Sequence, residues 1–184
     1  MLSRRAAIST WVERGSWVLI LSFTLFGCSR QQGAKEGDAG FVQRAAAGGV
    51  AEVRLGQLAQ ERGTSVAVKD FGAQMVADHT EAGNKLQIVA RQINLPLPAE
   101  MSPEGRSLYA KLSNLRGTAF DQVYATAMVD DHEADVADFE KEASQGQVSQ
   151  VRQFASESLP TLKGHLDKAR ELQKTVMAAA TYAR

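Results

Sequence analysis

Thr64–Ile93 reads TSVAVKDFGAQMVADHTEAGNKLQIVARQI, and its spacing decides the fold class. Val68, Gly72, Met75, His79, Ala82, Leu86, Val89 and Ile93 recur at intervals of three and four, the period of one helix face. Thr64 or Ser65 supplies an N-cap, and Asn94-Leu95-Pro96-Leu97-Pro98 breaks the pattern. The stripe has one polar intruder, His79. The phrase around it, Met75-Val76-Ala77-Asp78-His79, returns 53 positions later as Met128-Val129-Asp130-Asp131-His132.

Working outward, the same period appears in three more long segments. The first runs from about Phe41 to Arg62 with Phe41, Ala45, Gly48, Glu52, Leu55 and Ala59 inward, and Gly63 stops it. Gly48-Gly49 weakens this helix by about 1 kcal/mol per residue and is expected to admit a close neighbouring helix. The third long helix opens with Thr118-Ala119-Phe120-Asp121, a near capping box. It turns Ala125, Met128, His132, Val136, Phe139 and Ala143 inward and ends at Gly146. The fourth spans about Ser149 to Ala178 with Val151, Phe154, Ser158, Leu162, His165, Ala169 and Leu172 inward. Pro160 is expected to kink or split it. Ser102-Pro103-Glu104 starts a short connecting helix to about Leu115, between the second and third long helices. Nothing alternates with strand period. The expected fold is all-α: a four-helix bundle, pseudo-symmetric through the two matching helices.

Residues 1–27 read as an export signal. Arg4, Arg5 and Arg14 precede the apolar run Ser16–Phe26, which is short of the roughly 20 residues that span a bilayer. Leu25-Phe26-Gly27-Cys28 resembles a bacterial lipobox, which implies lipidation of Cys28; an ordinary signal peptide with an incidental cysteine is the bland alternative. Ser29, where an inner-membrane retention signal would place Asp, favours the outer membrane. Residues 28–40 are polar and Gly-rich, read as a flexible tether, and 41–180 form the domain. The expected location is the bacterial cell envelope, facing the periplasm, with the membrane as a partner through the lipid anchor.

Cys28 is the single cysteine, so a lipidated chain has no thiol chemistry, no Cys metal site and no disulfide. The full chain balances 21 basic against 21 acidic residues, and removing 1–27 leaves 18 against 20. That near-neutral balance gives no electrostatic footprint for nucleic acid.

The chemistry sits in four polar residues on apolar faces: Glu52, His79, His132 and His165, one from each long helix. Three imidazoles and a carboxylate suit a single transition-metal ion such as Zn, Fe or Cu. Met75 and Met128, a turn before two of the histidines, would suit Cu(I) but equally suit core filling. Two other readings stay open: a structural network in which Glu52 accepts from imidazoles, and a pH-responsive core. Val76 and Val129 stand where a Glu-x-x-His di-iron pair needs glutamate. No nucleophile elbow or phosphate loop is present. The residues therefore favour a binding or stress-protection role over turnover. Against it stands a non-catalytic envelope interaction or stress module.

Four blocks resemble one family in order. They are Phe41-Val42 with Ala45-Ala46, Gly48-Gly49, Glu52-Val53 and Leu55-Gly56; Val68-Lys69, Phe71, Met75-Val76 and Asp78-His79; Phe120-Asp121, Tyr124, Met128-Val129, His132 and Phe139-Glu140; and Leu159-Pro160-Thr161-Leu162 with His165-Leu166. Over about residues 40–175 the chain resembles the domain of unknown function 4142 family of exported bacterial helical domains. The resemblance implies a ferritin-like bundle and an envelope location. It implies no activity.

Overall fold

The computed structural model describes residues 28–182, with side-chain surroundings for 37–179. The expected signal segment, 1–27, lies outside the described residues. Five helices follow in order: α1 (Cys28–Arg62), α2 (Val66–Gln92), α3 (Pro103–Ser113), α4 (Gly117–Gln145) and α5 (Ser149–Tyr182). There is no strand among the described residues. Ser65 caps α2 by accepting from Val68 N, and Ser102 caps α3, with Pro103 at its first position.

One expectation of local structure fails and another is narrowed. The Thr118 capping box does not form: α4 starts at Gly117, and its cap residue, Arg116, makes no side-chain cap bond. Asp121 is turned to another task, described below. Pro160 lies inside one continuous α5, so the segment is not split.

α1 pairs with α2 and α4 pairs with α5, each as a helical hairpin; across the hairpins α2 meets α5 and α1 meets α4. Two apolar clusters fill the bundle. One holds Leu55, Leu58, Val68, Phe71, Phe120, Tyr124, Leu166 and Val176, at the end of the α1–α2 turn. The other holds Phe41, Val42, Leu86, Phe139, Val151, Phe154 and Leu162, at the end of the α4–α5 turn. Burying each such side chain contributes about 1.5–3 kcal/mol. Cluster membership also gives direction. α1 and α5 run from the second cluster to the first, and α2 and α4 run the opposite way. α3 carries the chain back between α2 and α4, with Leu112 fully buried.

The two copies of the 53-residue repeat are placed alike: Met75 and Met128 both lie in the first cluster, and His79 and His132 are both buried where α2 and α4 leave it. A second correspondence, 83 residues apart, relates the hairpins. Asp38, Phe41, Gly63, Val68 and Phe71 match Asp121, Tyr124, Gly146, Val151 and Phe154, and all ten are buried. The paired aspartates do the same job on opposite hairpins. Asp121 accepts from Thr64 N and Ser65 N (2.8 and 2.9 Å) ahead of α2. Asp38 accepts from Gln147 N (2.9 Å) and Val148 N ahead of α5. Each hairpin thus satisfies the orphan amides of the other's turn. Asp38 belonged to the expected tether. Its buried carboxylate and the start of α1 at Cys28 make residues 28–40 a helix joined to the bundle rather than a flexible tether.

Close approach of α1 and α2 occurs at Gly56 and Gly72, not at Gly48-Gly49. A Cβ on Gly56 would lie 2.5 Å from Gly72 O, and one on Gly72 2.7 Å from Gly56 O. A Cβ on Gly48 or Gly49 would meet nothing within 4 Å.

Candidate metal centre

The polar layer lies between the two apolar clusters. Each long helix crosses from one cluster to the other, and Glu52, His79, His132 and His165 sit near those crossings, 1, 8, 0 and 1 % exposed. The three imidazoles converge: one ring nitrogen from each of His79, His132 and His165 lies within 4.8 Å of the others. Glu52 is brought beside them, but it is not part of that triplet. It stands 3.5 Å from His79 Nε2 and 3.9 Å from His132 Nδ1, and groups instead with Asp131 and His132. With Asp131 added, the four expected residues therefore form two overlapping donor groups that share His132.

The hydrogen bonds fix the tautomers. His132 Nδ1 lies 2.9 Å from Met128 O. A carbonyl can only accept, so Nδ1 carries the proton. His165 Nε2 lies 2.7 Å from Asp78 Oδ2. Burial pushes the Asp78 carboxyl up, but its hydrogen bonds to His165 and Gln74 outweigh this and hold it below the usual range. It is an ionised acceptor, and His165 Nε2 donates. Burial drives all three imidazoles toward the neutral form. His79 falls to about 3, helped by His132 and His165. His132 falls to about 4 through burial and then His165, against the Met128 bond. His165 is lowered by burial despite Asp78. His132 Nε2 and His165 Nδ1 are then both bare lone pairs, facing each other at 3.4 Å. His79 Nε2 is buried without a hydrogen-bond partner.

Glu52 is held well above the usual carboxyl range by burial, then by the facing Asp131 and Asp135 carboxylates. Neither of its oxygens has a hydrogen-bond partner. Met75 and Met128 are fully buried in the apolar cluster of the α1–α2 end, as core filling requires. Glu81, Glu133 and Glu140 are exposed and pair with Lys85, Arg170 and Lys163.

Sequence reasoning undervalued Asp78. It comes next to a ligand-like histidine, about 100° around the helix, an offset at which a charge ordinarily faces solvent or a neighbouring helix. Here that offset points it at α5, where it orients His165. Asp38 fell in the expected tether and Asp121 in the expected capping box, so neither was expected to hold a turn, although the 83-residue correspondence relates the two.

A cavity of about 490 Å³ opens beside the layer, toward the end of the bundle that carries the α4–α5 turn, and all four long helices line it. His79, His165 and Asp78 line it, whereas His132 and Glu52 do not.

The family model for the domain of unknown function 4142 matches residues 27–172. Among solved structures, the crystal structure of a DUF305 fragment from Deinococcus radiodurans is similar, with a TM-score of 0.66 and 16 % identity over 76 % of this chain and 96 % of that one. At that identity the likeness concerns the fold alone. Comparison with curated proteins gives no match.

Proposed function

The chain belongs to the domain of unknown function 4142 family, and we propose that this member is a lipid-anchored envelope protein that holds one transition-metal ion in its bundle. The ligands are His79, His132 and His165. Asp78 orients His165, and Glu52 is a buried carboxyl group at the edge of the site, its pKa raised by burial. The role is metal binding, for storage or protection, rather than turnover.

The observation that carries this reading is the pair of bare nitrogens 3.4 Å apart. Two lone pairs at that distance repel unless a cation lies between them. Two imidazoles on a tetrahedral ion, with bonds of about 2.0–2.1 Å, stand about 3.4 Å apart. Imidazole donors suit Zn, Cu and Fe. The competing structural network needs hydrogen bonds that Glu52 and His79 do not make, and each unmet group costs about 1–3 kcal/mol.

Elemental analysis of protein purified without a histidine tag tests the site. We expect close to one ion per chain in the wild type and loss of it in His132→Ala. No metal in the wild type, together with stability indifferent to chelators, would leave the structural network as the explanation.

The anchor is proposed from the lipobox-like Leu25-Phe26-Gly27-Cys28. No helix among the described residues is long and apolar enough to cross a membrane. α1 runs on from Cys28 to Asp38, so at about 1.5 Å per residue it would hold the bundle some 15 Å from the lipid. Outer-membrane attachment rests on Ser29. Cys28→Ser should release the protein in soluble form; if the variant fractionates with membranes as wild type does, the anchor is wrong.

A further inference from the structure

The cavity beside the histidines has a specific origin. By the 83-residue correspondence, Met128-Val129-Asp130-Asp131-His132 on α4 has as its counterpart Ala45-Ala46-Ala47-Gly48-Gly49 on α1, at the opposite end of the bundle. The first phrase fills its half of the bundle, with Met128, Val129 and His132 all buried. The second removes those side chains. Ala45, Ala46 and Gly49 line the cavity, and a Cβ on Gly49 would meet nothing within 4 Å. The hollow therefore stands where the symmetry-related half carries a histidine.

The hollow reaches the polar layer from one side. His79 and His165 present an edge to it, and the Asp78 side chain is 33 % exposed. Its far wall is apolar, made by Leu86, Phe139, Phe154 and Leu162. An ion on three imidazoles keeps a coordination position that the protein does not fill with a fourth histidine, and the open side is this one. Three neutral imidazoles leave the charge of a dication opposed mainly by Asp78. Arg54 adds a cation to the wall and the Glu81–Lys85 pair adds no net charge, while Glu157 discourages a second negative charge; burial, then Asp131 and Asp138, raise Asp135 to about 7, so it is only partly ionised near neutrality.

We propose that the cavity is a binding chamber for a small organic monocarboxylate. Its carboxylate completes the ion's coordination beside His79 and His165, and its apolar body rests on Phe139 and Phe154. The proposal rests on the metal reading above and adds a ligand to it.

The test uses the full chain loaded with Co²⁺, whose visible absorption reports its coordination, and benzoate as the probe. The wild type should show a saturable change in the Co²⁺ spectrum on adding benzoate. Gly49→Phe, which projects a ring into the hollow, should retain Co²⁺ and weaken benzoate binding at least tenfold. Gly49→Leu replaces it if the larger side chain costs the variant its Co²⁺. A wild-type Co²⁺ spectrum that ignores benzoate overturns the chamber while leaving the metal site standing. So does a cavity-filled variant that binds benzoate as the wild type does. A wild type that binds no Co²⁺ overturns the metal reading, and the chamber with it.

Discussion

The two ends of the bundle are built to one plan and finished differently. At the α1–α2 turn, Asp121 ties down the amides of Thr64 and Ser65, and Met128, Val129 and His132 fill the space beneath. At the α4–α5 turn, Asp38 ties down Gln147 and Val148, and Ala45, Ala46 and Gly49 leave a hollow. The frame is kept and the filling is exchanged. A bundle can spare side chains at one end because the other cluster and both aspartate locks still hold the helices in register. What it gains is a route from outside to the histidines.

Emptying the filled end should have the largest effect. Met128→Ala makes that end resemble its partner at Ala45, and deleting a fully buried methionine costs about 3 kcal/mol. Urea unfolding would measure it; a loss below about 1 kcal/mol would mean that the two ends are already equally loose.

The aspartate locks should come next, and should match each other. Asp38→Ala and Asp121→Ala each strand two turn amides and should each cost about 1–2 kcal/mol. A large cost at Asp121 with none at Asp38 would break the pseudo-symmetry and restore residues 28–40 to the role of a loose tether.

The hollow end should also respond to pH through Glu142. Burial, then Asp38 and Asp138, raise its pKa to about 7, against the opposing pull of Arg44. The folded state therefore holds a proton that the unfolded carboxyl has already released. Stability from this group is present below the unfolded value of 4.5 and is lost as pH rises through about 7. Glu142→Gln should gain on the wild type as pH goes from 5 to 8 in denaturant titrations. Parallel curves would show that Glu142 is not raised. Asp121 has no such partner, because its counterpart to Glu142 is Ala59.

The smallest effect separates two kinds of glycine. Gly49→Ala adds a methyl to open space inside a helix and should stabilise by about 0.5–1 kcal/mol. Gly72→Ala forces a Cβ against Gly56 O and should destabilise, by about 1–3 kcal/mol. Thermal melts of the two variants should move in opposite directions. If Gly49→Ala is neutral or harmful, the hollow is narrower than described.

The residues of the centre were legible because polarity on an apolar face stands out locally. His79, His132 and His165 break their own stripes, and a stripe needs only its own helix to be read. Asp78 and Asp131 were less legible, since a polar residue beside the stripe looks like solvent-facing charge until the neighbouring helix is known. Glu52 was legible as a buried polar residue, and it stands beside two of the imidazoles. Its position on α1 predicted burial, not whether its oxygens would meet all three imidazoles or only two.

Sequence alone determined the helices, their apolar faces, the capping at Ser65 and Ser102, and the inward aim of four polar side chains. These depend on backbone preferences and on a period of 3.6 residues, both set within a few positions of each residue. Tertiary structure decided which helices became neighbours, and so which lone pairs faced each other and which aspartate locked which turn. It also decided which glycines meant contact. Gly72 touches a backbone while Gly49 borders empty space, and nothing in either residue's own helix distinguishes the two. The difference lies in what stands opposite, across a distance that local periodicity does not encode.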